Sequence, residues 1–541
     1  MRICYDYIIR NTANSRCMDK LAENAGENIY ALMCRAALVC ADICTSIYGD
    51  TKENILVVCG PGNNGGDGYV IARILKDRGY KVSLCAIVPP DISESINDTA
   101  FGRAVKDWML SAGIVSIPVF KSEILNGTAY VIDAVFGIGL SRDTPRIFVE
   151  LTESLLKSSA HVISVDIPSG IDANTGQVRG AAIKADITVA FTRPALGHIL
   201  LDGPKYCGKL YVVDIGINAC ILQEVMSSFP SVIENTPLLW NGYYSSRNDV
   251  SAHKYNYGHV CVMSGEHGKT GAARLSAMAS LRSGAGIVTV ASPTNAMLEN
   301  SCHLTAIMLR EVNTRQDFKG ILSDARINTI VIGPNFGIRD AVADFIEEIC
   351  NTEEFILNKR SLIIDADALR FYQDRREMLF ALIRGRNVVI TPHTGEFIAL
   401  FPDLISDVRN LYNHDTEQCN LPDIVQQAAN IAGCVVVLKM AGITVIASYN
   451  QKNILLNAAI NDRSAPWLAT GGSGDVLAGM IAAFAAQGLP AYAAASLGVW
   501  LHNEVGTTLM EGAIADDIIS GIPRALGRML RLMYDGMSDY C

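Results

Sequence analysis

The fold is decided by a stretch that runs from Ile55 to Gly68 and reads Ile-Leu-Val-Val-Cys-Gly-Pro-Gly-Asn-Asn-Gly-Gly-Asp-Gly. Its first five residues are apolar and predict a buried strand, and residues 69–75 continue with the spacing of a helix. Glycine lets the backbone turn tightly between the two, and a helix start attracts anions through its free amides. The stretch therefore predicts a strand, a ligand-binding turn and a helix.

A second loop of this kind lies near the other end of the chain, from Thr470 to Asp475, and reads Thr-Gly-Gly-Ser-Gly-Asp. Apolar side chains follow it at helical spacing, namely Val476, Leu477, Met480, Ile481 and Phe484. Each loop holds a carboxylate where an anion would bind, which is costly unless the group acts as a base or binds a metal or hydroxyl. Two loops predict two active sites.

Short apolar runs alternate with helical patterns in both halves, which predicts an α/β fold with parallel sheets covered by helices on both faces. The runs are 55–59, 81–88, 130–135, 162–165, 187–191 and 210–213, then 259–263, 286–291, 329–332, 361–365, 387–391, 434–439 and 444–447. Prolines, Asn-Gly and polar residues interrupt the alternation around 220–251. We therefore predict domains at 1–225 and 251–541, with a linker at 226–250.

Composition narrows the functional class. The net charge of −10 and the absence of a long basic run argue against nucleic-acid binding. The fifteen cysteines lack metal-binding spacing and indicate reduced thiols. The uncharged segment 476–501 is broken by Gln487-Gly488-Leu489-Pro490, which favours two core helices over a membrane span. The N-terminus lacks a signal-peptide pattern, so we expect a cytoplasmic protein that binds no membrane.

Polar residues follow three predicted strands of the first domain. The first strand supplies Asn63, Asn64 and Asp67, the second supplies Asp133, and the third supplies Asp166 and Ser169. Their oxygens are hard ligands, so Asn64, Asp133 and Ser169 could share a monovalent or divalent cation, with Asp166 as acid or base. The alternative is that these are ordinary turn residues, and the match to a dinucleotide-binding GxGxxG loop is weak.

The second domain offers a base and several candidate contacts. Asp475 could take a proton from a hydroxyl while the loop amides stabilise a transferring phosphoryl group. The segment Asp365-Ala366-Asp367 could hold magnesium through water, His393 could contact substrate, and Lys439 could reach a nucleotide phosphate. Each also has a plain reading as a turn carboxylate, a turn histidine or a surface lysine. No P-loop motif occurs.

The first domain resembles the NAD(P)H-hydrate epimerase family. The resemblance rests on Glu23-Asn24-Ala25-Gly26, the loop 60–68, and the segments 133–139 and 164–172. It implies a Rossmann-like three-layer α/β/α domain with potassium on Asn64, Asp133 and Ser169. The implied substrate contacts are Asn63, Asn64, Gly65, Gly66, Asp67, Gly137, Ile138, Gly139, Leu140, Ser141, Arg142, Asp143 and Asp166. Ile138 and Leu140 replace aromatic residues common in that loop.

The second domain resembles the ribokinase-like fold, and more closely its NAD(P)H-hydrate dehydratase branch. The matching segments are 253–260, 270–273, 281–286, 332–334, 365–369, 391–397 and 469–479. The implied substrate contacts are Ala272, Gly337, His393 and Asp475, and the implied nucleotide contacts are Lys439, Met440, Ala441, Gly442, Ile443 and Gly474. Asn335 replaces a glycine that the family carries, and Met440 replaces another.

The two resemblances together imply a bifunctional repair enzyme. It would interconvert the R and S forms of hydrated NADH and NADPH and dehydrate the S form with ADP, giving AMP and phosphate. The implied cofactors are K⁺ at the epimerase site and Mg²⁺ with ADP at the dehydratase site. Its partners would be small molecules, and we expect a homo-oligomer. The alternative is a vitamin-precursor type kinase with a non-catalytic N-terminal binding module.

Overall fold

The computed structural model describes residues 8–49, 53–90, 99–228, 232–240, 242–244, 251–404, 406, 420–451, 454–458 and 465–538. These residues fall into two compact units, with the boundary at Val232. Each unit contains its own sheet of mainly parallel strands. The predicted α/β class is thereby confirmed for both halves of the chain.

The first unit contains a six-stranded parallel sheet in the order β3-β2-β4-β5-β6-β7. The strands of this sheet are β2 (Asn54–Cys59), β3 (Lys81–Ala86), β4 (Thr128–Ala134), β5 (His161–Val165), β6 (Ile187–Phe191) and β7 (Lys209–Val213), and the unit also contains the short strand β1 (Ile8–Ile9). Its helices are α1 (Thr12–Asn24), α2 (Ile29–Tyr48), α3 (Asn63–Asp77), α4 (Ala100–Ala112), α5 (Arg146–Leu156), α6 (Gly203–Cys207) and α7 (Ala219–Ser228), with 3₁₀ turns at Ser122–Leu125 and Leu196–His198.

Strand β2 explains the three layers of this unit. Ile55 and Val57 pack into the core shared with α2, α3 and α4, whereas Leu56 and Val58 pack into the core shared with α5. Successive side chains of a strand point to opposite faces, so an unbroken apolar run requires helices on both sides. The three-layer α/β/α arrangement predicted for this domain is confirmed.

Helix α2 is long and apolar enough to cross a membrane by length and composition alone. In the described residues it packs instead against the sheet and its neighbouring helices, and Ala37, Cys40, Ala41 and Cys44 are fully buried. Such a core helix meets the same length and composition criteria, so this feature is weak evidence for a membrane span.

The second unit contains a sheet in the order β8-β17-β16-β15-β14-β13-β12-β9-β10-β11, in which β16 runs antiparallel to both neighbours. Its strands are β8 (Val232–Glu234), β9 (His259–Met263), β10 (Ile287–Ser292), β11 (Met308–Glu311), β12 (Ile327–Ile332), β13 (Ser361–Ile364), β14 (Val388–Ile390), β15 (Val435–Met440), β16 (Ile443–Ser448) and β17 (Ile454–Ala458). Strand β8 lies within the predicted 226–250 linker, so part of that segment is regular structure.

The helices of the second unit cover its sheet. They are α8 (Gly271–Arg282), α9 (Thr294–His303), α10 (Arg315–Leu322), α11 (Ala341–Cys350), α12 (Glu353–Ile356), α13 (Ala366–Phe371), α14 (Arg376–Ile383), α15 (Thr394–Leu400), α16 (Leu421–Ala432), α17 (Ser473–Ala486), α18 (Ala491–Gly506) and α19 (Ala515–Ser538). Short 3₁₀ turns occur at Pro237–Trp240, Lys254–Tyr257, Pro402–Leu404 and Pro466–Leu468. The apolar segment 476–501 forms parts of α17 and α18, both largely buried, which confirms the two predicted core helices.

Helix α8 fixes the position of α17. Gly479 approaches so closely that a Cβ there would lie 2.2 Å from the Ser276 carbonyl oxygen. Ser276 Oγ donates to the Asp475 carbonyl at 2.7 Å, and Ser280 Oγ donates to the Gly479 carbonyl at 2.9 Å. Two serines one turn apart therefore hold two carbonyls one turn apart, which sets the start of α17 relative to the sheet.

Candidate active sites

The glycine loop of the first unit is packed against its own backbone. Helix α3 begins at Asn63, with Gly62 as the residue before it. A Cβ on Gly60 would lie 1.9 Å from the Val135 carbonyl oxygen, and one on Gly65 would lie 1.9 Å from the Gly60 carbonyl oxygen. Only glycine permits these approaches, which bring Asn63 and Asn64 to the carboxyl end of β4.

Asp166 lies at the end of β5 with a positive φ of 65°. Its Oδ1 accepts a 2.8 Å bond from Arg10, and both side chains are buried. Its Oδ2 faces the 137–138 backbone, since the Ile138 N–H lies 3.4 Å away and a Cβ on Gly137 would lie 3.2 Å away. One oxygen is therefore neutralised by a cation, and the other is turned toward the predicted substrate loop.

Asp133 and Ser169 lie together, as expected for a shared cation site. Ser169 donates to Asp133 through Oγ at 2.5 Å and through its N–H at 2.9 Å, and Ser164 Oγ donates at 2.7 Å. Burial nevertheless raises the pKa of Asp133 above its ordinary value, against the opposing effect of these bonds. A nearby cation would favour the ionised form.

Asn64 is the third candidate ligand of the predicted cation site. Its side-chain oxygen and nitrogen are both buried and have no hydrogen-bond partner among the described residues. A Cβ on Gly137 would lie 3.2 Å from the Asn64 Cβ, so the Asn64 side chain is next to the loop that Asp166 faces. Phe136, the residue before Gly137, donates its N–H to Ser169 Oγ at 2.7 Å. The orphaned Asn64 amide and the Asp133–Ser169 pair thus both lie at residues 136–137, and their oxygens suit an oxygen-liganded monovalent cation.

Asp67 differs from Asp166 in that no ion pair to it occurs among the described residues. Burial raises its pKa well above the ordinary value, and the charges of Asp166 and Asp19 add to that rise. The geometry thus separates two carboxylates, one paired with Arg10 and one that burial drives toward its neutral form. Such a pair can divide the roles of base and acid.

The remainder of the predicted substrate loop is more open. Leu140 donates its N–H to the Gly137 carbonyl at 3.3 Å, and nothing lies within 4 Å of a Cβ on Gly139. Ser141, Arg142 and Asp143 are exposed. Gly137 and Ile138 therefore lie beside Asp166, whereas the second half of the loop faces solvent.

Arg10 and His198 are site residues that the sequence reasoning missed. Arg10 also donates to the Arg193 carbonyl at 2.7 Å, and His198 Nε2 lies 2.7 Å from the Asp166 carbonyl oxygen. Both residues lie outside the glycine loops and the strand ends from which the sequence predicts the site. The segment 23–26, part of the family resemblance, ends α1 and begins the turn after it.

The glycine loop of the second unit is open at Gly471 and packed at Gly472, where a Cβ would lie 2.7 Å from Leu275 Cδ1. Gly472 adopts a positive φ of 89° before α17, and nothing lies within 4 Å of a Cβ on Gly471. A Cβ on Gly474 would lie 3.2 Å from Lys439 Nζ. The loop amides and this ammonium group together form an anion-binding environment.

Asp475 lies in the first turn of α17 among charged neighbours. Burial raises the pKa of Asp475 to about 7, and the carboxylate of Asp365 is the next cause. Lys439 opposes the rise, while Asp367 adds to it. A carboxylic acid with a pKa near neutrality at a helix start is suited to exchange a proton with a bound hydroxyl.

Lys439 and Asp365 form a buried ion pair at 2.8 Å. Lys439 belongs to β15, which turns through Ala441 and Gly442 into β16, with Met440 paired to Ile443. Gly442 has a positive φ of 74°, and Ala441 and Gly442 are exposed. The predicted nucleotide segment 439–443 is therefore the tip of a β-hairpin, and its first residue reaches the neighbourhood of Asp475.

The predicted substrate contacts lie at several strand and helix ends of the same unit. His393 caps α15, since its Nδ1 accepts from the Gly395 and Glu396 amides, and its side chain is 60% exposed. Ala272 lies in the first turn of α8. Gly337 donates its N–H to Asp367 Oδ2 at 3.0 Å, which connects it to the carboxylates around Asp475.

Asn335 stands where the family carries glycine. Its φ is +49°, so this asparagine adopts the left-handed conformation expected there.

His502 is a further residue that the sequence does not predict. Its Nε2 lies 3.0 Å from the Ser473 Oγ and 3.1 Å from the Ser473 carbonyl oxygen, and burial lowers the pKa of His502 to about 4. A neutral His502 thus braces the start of α17, and no local sequence signal indicates it.

Each half of the chain matches a family of known proteins. The YjeF-related protein N-terminus family matches residues 21–197, and the NAD(P)H-hydrate dehydratase family matches residues 260–524. A solved structure of an ADP/ATP-dependent NAD(P)H-hydrate dehydratase from Bacillus subtilis, co-crystallized with ATP/Mg²⁺, is 22% identical with a TM-score of 0.42. That match covers 55% of this chain and 98% of that one.

Full-length relatives were also found. The bifunctional NAD(P)H-hydrate repair enzyme Nnr of Coxiella burnetii is 30% identical over 509 residues, which cover 93% of this chain and 96% of the relative. The enzyme of that name from Thermofilum pendens is 32% identical over 538 residues, which cover 96% and 95%. Because such relatives align with almost the whole chain and each half matches its own family, this chain belongs to the family of bifunctional NAD(P)H-hydrate repair enzymes.

Proposed function

We propose that this chain repairs hydrated NADH and NADPH. Its N-terminal half, predicted as 1–225, interconverts the R and S epimers at C6. Its C-terminal half, predicted as 251–541, dehydrates the S epimer with ADP and releases AMP and phosphate. The observation that carries the proposal is Asp475, a buried carboxylate with a pKa near 7 at an amide-lined helix start, in a chain of this family.

The dehydration step uses Asp475 as base. It takes the proton of the C6 hydroxyl, and the alkoxide attacks the terminal phosphorus of ADP, which breaks the bond to AMP. The C6–O bond then breaks, phosphate leaves with its electron pair, and the ring-nitrogen lone pair forms an iminium at C6. Transfer of a C5 proton to the departing phosphate then restores the dihydropyridine. The amides of Gly471 and Gly474 with Lys439 stabilise the charge that develops on the transferred group.

Substrate is held on the remaining predicted contacts. Ala272, Gly337 and His393 bind the hydrated ring and its ribose, and the hairpin 439–443 with Gly474 binds ADP. Asp365 and Asp367 would hold Mg²⁺ with the nucleotide, since their carboxylates already raise the pKa of Asp475 and a cation would relieve that repulsion. Bound Mg²⁺ would neutralise phosphate charge.

The epimerisation step uses Asp166, whose Oδ1 accepts a 2.8 Å bond from Arg10. Asp166 assists reversible hydroxide loss or ring opening at C6, and Asp67 supplies or takes the second proton. Asn63 to Asp67 and the loop 137–143 bind the substrate. K⁺ would be held by Asn64, Asp133 and Ser169, where it would fix the two loops relative to each other.

We also infer that the enzyme is cytoplasmic and homo-oligomeric. Its partners are hydrated dinucleotides and ADP, and it binds neither nucleic acid nor membrane. Size-exclusion chromatography with light scattering tests the oligomeric state. A monomer mass at micromolar concentration contradicts that inference and leaves the catalytic proposal intact.

One assay tests the function. Purified protein receives a mixture of R and S hydrated NADH with ADP or ATP, and near-ultraviolet absorbance and released phosphate are followed with and without K⁺. We expect complete recovery of NADH with one phosphate per ring and slower consumption of the R epimer without K⁺. A stable phosphorylated product without ring recovery supports the kinase alternative.

The alternative of a non-catalytic N-terminal module has its own test. Asp166→Asn should leave consumption of the S epimer unchanged and stop consumption of the R epimer beyond its spontaneous rate. If Asp166→Asn consumes both epimers as fast as the parent, the first unit is a binding module and the epimerase assignment is wrong.

A further inference from the structure

A cavity of about 260 Å³ lies at the carboxyl edge of the second sheet and is not used by the steps above. It opens beyond the ends of β9, β10, β11 and β12, where Met263, Ala291, Val312 and Phe336 line it. Ligands of open parallel sheets bind at this edge. The cavity is therefore on the side of the sheet where chemistry is expected.

The cavity adjoins the dehydratase site through a short chain of contacts. Phe336 lines the cavity and immediately precedes Gly337, whose N–H donates to Asp367 Oδ2 at 3.0 Å. Asp367 is one of the carboxylates whose charge raises the pKa of Asp475. A ligand with one end at Asp475 can consequently extend past Gly337 toward the cavity.

The lining suits an uncharged flat group. Its apolar members include Phe336 and Phe345, both buried. Its two charged members neutralise each other, because Arg339 Nη1 donates to Glu266 Oε1 at 2.6 Å. The Arg339 guanidinium also lies 4.3 Å from the centre of the Phe336 ring. A phosphate would require an unpaired cation, so this lining favours a heterocycle.

Two polar groups remain available to the edge of such a ring. The Arg339 Nε is buried and has no hydrogen-bond partner among the described residues. Asn295, in the first turn of α9, is exposed at the cavity and makes no side-chain hydrogen bond within the described part of the chain. A purine offers both donors and acceptors on its edge, which these two groups match.

We propose that this cavity receives the adenine nucleoside end of the hydrated dinucleotide while Asp475 acts on its other end, an inference that rests on the proposed function. The volume of about 260 Å³ falls below the roughly 300–1,000 Å³ of pockets that enclose a whole drug-sized ligand, so it fits one moiety. Binding at a remote, non-reacting part of a substrate can lower the barrier at the reacting centre.

Asn295→Trp, which places an indole at the cavity mouth, tests the proposal. Its matched control is Leu298→Trp, three residues later on the same helix at a position that is 77% exposed and outside the lining. Each variant dehydrates hydrated NADH and hydrated reduced nicotinamide mononucleotide, which lacks the adenosine end. We expect Asn295→Trp to lower kcat/KM for the dinucleotide by about tenfold, with less than about twofold change for the mononucleotide and for the control.

A second readout does not need turnover of the truncated substrate. ADP-ribose retains the adenosine end and lacks the hydrated ring, so at saturating ADP it should compete with hydrated NADH in the parent. Its inhibition constant should rise by about tenfold in Asn295→Trp and by about threefold in Asn295→Ala, which loses one hydrogen-bonding group. Equal effects on both substrates, or an unchanged inhibition constant, overturn the proposal. A parent that restores no NADH at all overturns the proposed function instead.

Discussion

The two glycine loops of this chain look alike in sequence and differ in physical purpose. In the first unit, Gly60 and Gly65 allow backbone atoms to touch. In the second unit, a Cβ on Gly471 would meet nothing within 4 Å, whereas one on Gly472 would lie 2.7 Å from Leu275 Cδ1. Glycine therefore serves packing at Gly60, Gly65 and Gly472, and leaves free access to a ligand at Gly471.

The two proposed catalytic carboxylates have different surroundings. Asp166 is paired with the Arg10 guanidinium at 2.8 Å. Asp475 has no ion-pair partner among the described residues, since Lys439 pairs with Asp365, and burial raises the pKa of Asp475 to about 7. The first carboxylate thus has a fixed cationic partner, whereas the second can gain and lose a proton near neutrality. This suits reversible epimerisation and a proton-accepting phosphoryl transfer, respectively.

The largest expected effect comes from removing the second carboxylate. Asp475→Ala should lower dehydration of the S epimer by about 10²–10⁴, the usual contribution of a positioned base, and leave epimerisation unchanged. Stopped-flow absorbance of NADH recovery measures the dehydration rate, and chromatography of the two epimers measures the epimerisation rate. Asp516→Ala, an exposed carboxylate in the first turn of α19, is the control. A dehydration rate within about threefold of the parent would remove Asp475 from the mechanism.

The second largest expected effect tests whether Arg10 acts on Asp166 in catalysis or only stabilises the fold. Arg10→Gln should slow epimerisation by about 10² because Asp166 loses the cation that positions its carboxylate beside Gly137 and Ile138, and dehydration of pure S epimer should persist. Chromatography of the two epimers measures the epimerisation rate, and recovery of NADH absorbance measures the dehydration rate.

Arg179 provides the matched control for that variant. It pairs with Asp172 at 2.8 Å, and both side chains are buried in the same unit. Arg179→Gln should destabilise the unit as much as Arg10→Gln, since breaking a buried pair costs about 3–5 kcal/mol, yet leave the epimerisation rate within about threefold of the parent. If both variants lose epimerisation equally, the role of Arg10 is structural.

Local signals explain what the sequence predicts correctly. The apolar run 55–59 and the helical spacing after Asp475 depend on neighbours within one turn or one strand, which periodicity reports directly. The break at 487–490 predicts two helices for the same reason, because a short turn interrupts the apolar period. The α/β class and the two buried helices follow from such patterns.

Long-range contacts explain what the sequence does not predict. Arg10 reaches Asp166 across most of the first unit, and Ser276 reaches the Asp475 carbonyl across most of the second. Nothing in the local spacing of Arg10 or Ser276 distinguishes them from other arginines and serines. Strand β8 falls in a segment rich in turn residues, and its pairing with β17 overrides that local preference.

A smaller effect concerns stability against pH in the second unit. Asp475 has a folded pKa of about 7, above the value of about 3.9 for an unfolded chain, so the folded state binds the proton more tightly. Its contribution to stability is present below the unfolded pKa and is lost as pH rises through about 7, by at most about 1.4 kcal/mol per pH unit.

Asp475→Asn should remove this loss. The variant and parent should unfold at the same urea concentration near pH 4, and the variant should be more stable at pH 8. Tryptophan fluorescence suits the measurement because Trp240, Trp467 and Trp500 belong to the second unit. Equal midpoints at pH 8 would mean that Asp475 is ionised at no cost to the folded state.

The smallest effect tests the two loops by the same substitution. Gly60→Ala would place a Cβ 1.9 Å from the Val135 carbonyl oxygen, so the backbone must move, at a cost of about 1–3 kcal/mol. Gly471→Ala meets open space, and its φ is not in the left-handed range, so its unfolding free energy should change by less than about 0.5 kcal/mol. Urea unfolding of each variant gives both values. The added methyl at Gly471 should instead raise the KM for ADP, because it stands where the nucleotide approaches the loop amides. If Gly471→Ala destabilises the protein as much as Gly60→Ala, Gly471 is also required for packing, and the contrast between Gly60 and Gly471 does not hold.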